Sequence, residues 1–173
     1  FNTWGITFMG NSLLAVVDNT SDLAVYDNFL TAFSADGAIT PTKRITVEGI
    51  VRTHGIDYSE ADDVLVMTDI GDAADANTDG GFQITQDFAA KLAAINDGGS
   101  LALSEQTRVA GSLTEMGNPI DVAYDHKTKT VFIAEIGNGK VLSFSDALNA
   151  SGNVAPAVSN DLASAASIYL YNN

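Results

Sequence analysis

Cysteine is absent from the 173 residues, which excludes disulfides, thiolate metal sites and cysteine nucleophiles. Basic side chains are scarce: 8 Lys and Arg stand against 22 Asp and Glu, for a net charge of −14. Phosphates would be repelled, so nucleic acid is excluded as a partner, and an anionic membrane surface is disfavoured for the same reason. No run approaches the roughly 18 apolar residues of a membrane span. There are 2 histidines and no Gly-x-Ser-x-Gly, so Ser/His/Asp catalysis lacks a motif. No glycine-rich phosphate loop precedes a helical pattern. The chain opens at Phe1 without Met, which reads as a processed mature chain or a stretch of something longer.

What remains is apolar and turn-rich. Hydrophobic residues make up 46% and there are 15 glycines, a mixture that suits short strands joined by tight turns. The acidic balance fits a soluble exported protein, extracellular or periplasmic.

Three imperfect units recur along the chain. The first opens with Trp4-Gly5-Ile6-Thr7-Phe8, continues as Leu13 to Asp18, and resumes as Leu23 to Asp27. The second opens with His54-Gly55-Ile56-Asp57-Tyr58, runs Val64 to Asp69, and resumes at Gly81 to Thr85. The third reads Ile120 to Tyr124, Val131 to Glu135, and Lys140 to Phe144. Phe8, Tyr58 and Tyr124 lie 50 and 66 residues apart, and Asp18, Asp69 and Glu135 lie 51 and 66 apart. Fourth strands are expected at Lys43–Val47, Gln106–Ala110 and Val154–Val158. Short helical turns are expected near residues 28–32, 87–92 and 146–148. The tail Ile168-Tyr169-Leu170-Tyr171 reads as the first strand of another unit or as a closing strand.

Four apolar strands per unit at a period near 50 residues describe β-propeller blades. The expected fold is all-β, one propeller region over 1–173, with roughly three four-stranded blades at 1–50, 51–117 and 118–173. A β-sandwich is the structural rival. Three blades do not close a ring, so the array is a partial ring or a half-ring that associates with further blades. The abrupt opening favours blades N-terminal to this stretch over another copy.

The stretches Val17 to Tyr26 and Ala134 to Phe144 resemble the strand-turn-strand pattern of NHL repeats: an acid, an Asn or Asp turn, then an apolar strand. Trp4-Gly5-Ile6 and His54-Gly55-Ile56 are similar to that family's Pro-x-Gly-Ile opening. The resemblance extends to gluconolactonase-like propellers and implies an axial calcium held by Glu, Asn and Asp just before the innermost strands. The matching positions are Trp4, His54 and Asn118, of which only Asn118 is a ligand of that kind.

Asp75-Ala76-Asn77-Thr78-Asp79-Gly80 resembles the start of an EF-hand loop, because oxygen side chains at alternate positions can converge on calcium. Asp69 and Asp72 lie just upstream and complete the candidate metal set Asp69, Asp72, Asp75, Asn77 and Asp79. Gln86 stands where that loop type has a bidentate Glu, and a solvated loop is the alternative. Asp18 and Glu135, with Asn118, are candidates for an axial face, against a turn-capping role for the acids. His54 is the candidate general base or ligand, since it sits at an expected channel mouth beside Arg52. His126 falls in a charged hairpin turn. The expected function is a non-catalytic binding or assembly module for a protein or small-molecule ligand, with calcium as a candidate stabiliser. The alternative is a calcium-dependent lactonase or esterase-like hydrolase with an axial metal.

Overall fold

The computed structural model describes residues 1–72, 75 and 78–171. The chain is all-β, built as three consecutive sheets. Sheet 1 joins β1 (Thr3–Met9), β2 (Ser12–Val17), β3 (Asp22–Tyr26) and β4 (Lys43–Val47). Sheet 2 joins β5 (Ile56–Ser59), β6 (Val64–Asp69), β7 (Gly81–Gln86) and β9 (Thr107–Ala110). Sheet 3 joins β10 (Pro119–Asp125), β11 (Thr130–Glu135), β12 (Lys140–Phe144) and β13 (Val158–Asp161). All nine pairings among these twelve strands are antiparallel between chain neighbours, the connection that short turns permit.

β8 (Ser100–Leu101) leaves the second unit and pairs in parallel with β4, giving sheet 1 a fifth strand. The fourth strand expected at Val154–Val158 lies instead at Val158–Asp161. Pro156 has no N–H to donate to a ladder, so pairing begins beyond it. Residues 168–171 form no strand.

The sheets stack face to face. Cross-strand partners share a face, so the back of sheet 1 carries Leu14, Val16, Leu23 and Val25. These are buried against Ile56, Leu65, Met67, Phe88 and Leu92 from the front of sheet 2. The back of sheet 2, with Val64, Val66, Phe82 and Ile84, meets Val122, Tyr124, Val131, Ile133 and Leu142 on the front of sheet 3. Strands buried on both faces read as nearly continuous apolar runs, as β2 and β11 do. Three stacked sheets in chain order replace the two-layer arrangement of a sandwich.

A short turn follows the third strand of each sheet. It starts at Asn28, Asp87 and Asp146, whose φ values of 51°, 52° and 51° lie in the left-handed region. Asn and Asp tolerate that region better than other side chains. The turn carries α1 (Phe29–Ala32) in the first unit and α2 (Phe88–Ala94) in the second. Phe88 and Ala147, one residue past the left-handed turn, are fully buried between sheets.

Candidate functional site

Asp69 and Glu135 end the second strands of sheets 2 and 3, and both are fully buried. Asp69 Oδ1 accepts hydrogen bonds from the backbone N–H of Val51 (3.0 Å), Arg52 (3.1 Å) and Gly71 (3.0 Å). Its Oδ2 takes an ion pair from Arg108 at 2.7 Å. Glu135 Oε1 accepts from Gly117 (3.2 Å), Asn118 and Gly137 (3.1 Å), and its Oε2 accepts from Asn138. The two carboxylates clamp the same backbone positions, each pair 66 residues apart. They satisfy buried donors that would otherwise cost about 1–3 kcal/mol each.

Asp18 does not belong to that set. Leu13, Leu65 and Val131 are equivalent by register, since they pair with Phe8, Tyr58 and Tyr124. Four residues on stand Val17, Asp69 and Glu135. Asp18 matches Ile70 and Ile136 instead: its N–H bonds Asn2 O, as theirs bond Arg52 O and Asn118 O. The equal acid spacing arises because the β1–β2 hairpin loop is two residues long, against four in the other two hairpins.

One residue out of step, the Asp18 carboxylate reaches sheet 2. Its Oδ1 lies 3.3 Å from Arg52 Nη2 and 3.4 Å from His54 Nε2. Burial alone would raise its pKa. The hydrogen bond from Arg52, the Asn19 backbone, and the charges of Arg52 and His54 outweigh that and hold it below the ordinary aspartate value.

His54 is 4% exposed, and neither ring nitrogen has a hydrogen-bond partner among the described residues. Its ring stacks on Trp4, with centroids 4.1 Å apart and planes 11° apart. Burial first, and then the Arg52 charge, push its pKa below 6.5 against the pull of Asp18. The neutral form therefore dominates in the folded chain. A histidine depressed on folding contributes stability above its unfolded pKa, and that stability is lost as pH falls toward the folded value. Thermal melts are expected to show wild type losing more stability than His54→Gln between pH 7.5 and 5. Equal losses in the two proteins would refute this.

The first strands run side by side, β1 next to β5 and β5 next to β10. Along them lies a groove of adjoining hollows of about 270 and 280 Å³, lined by Trp4, Ile6, His54, Ile56, Asp57 and Asp121 with the stretch 166–170. Asp57 Oδ2 accepts from Tyr124 N at 2.8 Å, tying sheet 2 to sheet 3. Asp121 Oδ2 accepts from Ile168 N at 3.0 Å, tying sheet 3 to the tail. Burial, and to a smaller degree the Asp121 charge, raise the Asp57 pKa despite two backbone hydrogen bonds. Neither acid was singled out from sequence, although a lone acid inside an apolar strand is the available signal.

Glu135 does not face this groove, because its oxygens are taken by backbone. Asn118 stands at the clamp, its own N–H on Glu135, and its Oδ1 is buried with no partner among the described residues. In the loop after β6, Asp79 Oδ2 accepts from Asp72 N at 2.6 Å, and Asp75 Oδ2 accepts from Thr78 Oγ1 at 2.7 Å. Asn77 lies outside the described residues. Among the described residues, no three acidic or histidine side chains gather as a metal-binding group. No helix there is long and apolar enough to cross a membrane.

No family model matches the chain, and no curated protein sequence matches it. Among solved structures, it is similar to a chain in the crystal structure of a nidogen/laminin complex. The TM-score is 0.36 and the identity 13%, over 91% of this chain and 62% of that one. The chain thus spans less than two thirds of the length of that neighbour.

Proposed function

We propose that the three sheets are successive blades of a β-propeller and that the chain is an exported, non-catalytic binding or assembly module. One observation carries this reading. Ile6, Ile56 and Val122 hold the same place on the first strands, yet they are 58%, 5% and 3% exposed. Phe8 is 44% exposed where its counterpart Tyr124 is 5% exposed. The front of sheet 1 has the composition of a face that packs on a preceding blade, and exposed apolar faces of this kind mark interaction surfaces. The most deeply buried acids, by contrast, are occupied with backbone and Arg108, which leaves them no role in acid–base chemistry. The acidic composition supports an exported setting.

Substitution separates a free face from a core. Ile6→Asp is expected to leave the urea midpoint nearly unchanged, within about 0.5 kcal/mol, as for exposed sites. Ile56→Asp is expected to cost roughly 4 kcal/mol or more, because it buries an unpaired carboxylate. An Ile6→Asp cost equal to that of Ile56→Asp, and independent of protein concentration, would show Ile6 to be core and would overturn the reading. Turnover of a lactone or ester by the folded chain would overturn it as well.

A further inference from the structure

The chain itself shows what the front of a sheet fits. In sheets 2 and 3 the front closes on the aliphatic back of the sheet before it: Leu14, Val16, Leu23 and Val25 in one case, Val64, Val66, Phe82 and Ile84 in the other. The front of sheet 1 presents the same surface without that cover. Phe8, Tyr26, Phe29 and Phe33 form a cluster of tilted and edge-on rings, with centroids 5.6 to 6.2 Å apart. Phe29 sits at the start of the short helical turn, where Phe88 in sheet 2 is fully buried, and Leu30 beside it is 62% exposed.

The chain also carries one back face with no sheet on it, that of sheet 3. Residues 162–168 cross its inner part, where Ala165 and Ile168 pack on Ile120 and Ala134. Farther out, Phe132, Val141, Ser143 and Val158 surround a shallow hollow of about 150 Å³, and Val158 is 50% exposed.

Resting on the reading of this chain as a blade array, we infer that the front of sheet 1 in one copy packs on the back of sheet 3 in a second copy. The second copy returns the same contact, so the two close a two-fold ring. Further blades added ahead of sheet 1 would cover only the front face; a second copy covers both faces at once. A head-to-tail contact ends in a closed ring when the rotation closes and in a filament when it does not. No charged side chain stands among Ile6, Phe8, Phe29 and Leu30, or among Phe132, Val141, Ser143 and Val158. Each copy carries −14, so long-range repulsion opposes the contact and added salt strengthens it.

Light scattering coupled to size exclusion tests this on the 173-residue chain, at roughly 1–500 μM, a range that covers weak and moderate affinities. The expected result is twice the chain's mass, with association tightening as salt is raised. Ile6→Asp and Val158→Asp, both at exposed positions, are each expected to weaken association at least tenfold. An equimolar mixture of the two variants retains one intact front-to-back contact and is expected to recover a dimer, which a front-to-front contact would not do. A monomer at every concentration would overturn the inference. So would a dimer indifferent to both variants, or a ladder of trimers and longer species. If the chain stays monomeric while Ile6→Asp leaves its fold intact, the second copy is ruled out and the reading as a binding module stands.

Discussion

Glu135→Ala is expected to lower stability by about 3–5 kcal/mol, the range for breaking a buried, fully bonded charge site. The carboxylate receives the backbone N–H groups of Gly117, Asn118, Gly137 and Asn138. Alanine leaves these donors without an acceptor beside a buried cavity, and water reaches only some of them. The damage is architectural, because residues 117–118 lead into β10 and residues 137–138 lead into β12. Loss of the clamp releases the entry to the innermost strand of sheet 3 and one of its hairpins together. Glu135→Gln keeps one acceptor oxygen but turns an N–H₂ toward a backbone donor, so a smaller loss of roughly 1–3 kcal/mol is expected. Asp69→Ala should resemble Glu135→Ala and in addition leaves Arg108 without its carboxylate. Urea unfolding of the three variants measures this; a Glu135→Ala cost below about 1 kcal/mol would contradict the clamp.

The strands were legible because turn residues punctuate apolar runs at regular intervals. The repeated Phe8, Tyr58 and Tyr124 marked the true register, since all three sit at matching places in the first hairpin. The acids misled for a physical reason. Loop length changes by whole residues, and each single-residue step turns a side chain to the other face of a strand. Asp18 therefore kept its spacing and lost its equivalence. The partner of β8 was not legible, because a two-residue parallel pairing leaves no periodic trace and depends on a contact between units. The groove was partly legible: His54 and Trp4 were seen, while Asp57 and Asp121 were passed over as members of apolar strands. The expected convergence of Asp69 with the loop acids failed to allow for Arg108, which lies 39 residues away in sequence and 2.7 Å away in space.

Gly55→Ala is the second change with a large expected effect, and its sign is informative. A Cβ at residue 55 would lie 2.7 Å from Asp121 Cα and 2.9 Å from Val122 N. Those atoms belong to the backbone of β10, so no side chain can swing aside. Relief requires the first strands of sheets 2 and 3 to separate. That movement stretches the 2.8 Å bond from Tyr124 N to Asp57 and disturbs the 2.8 Å bond from Gly55 N to Thr68 Oγ1. Overpacking of this kind costs about 1–3 kcal/mol, with the upper part of the range expected where backbone meets backbone. Gly55 is not among the glycines with positive φ. At an open site of ordinary backbone geometry, alanine would instead stabilise by about 0.4–1 kcal/mol, through lost freedom in the unfolded chain. Gly5, at the same place in sheet 1, stands against His54 O in the same manner. Gly5→Ala and Gly55→Ala should therefore both lower the melting temperature. A rise in either variant would mean that the first strands are not held in close approach, and the groove along them would lose its basis.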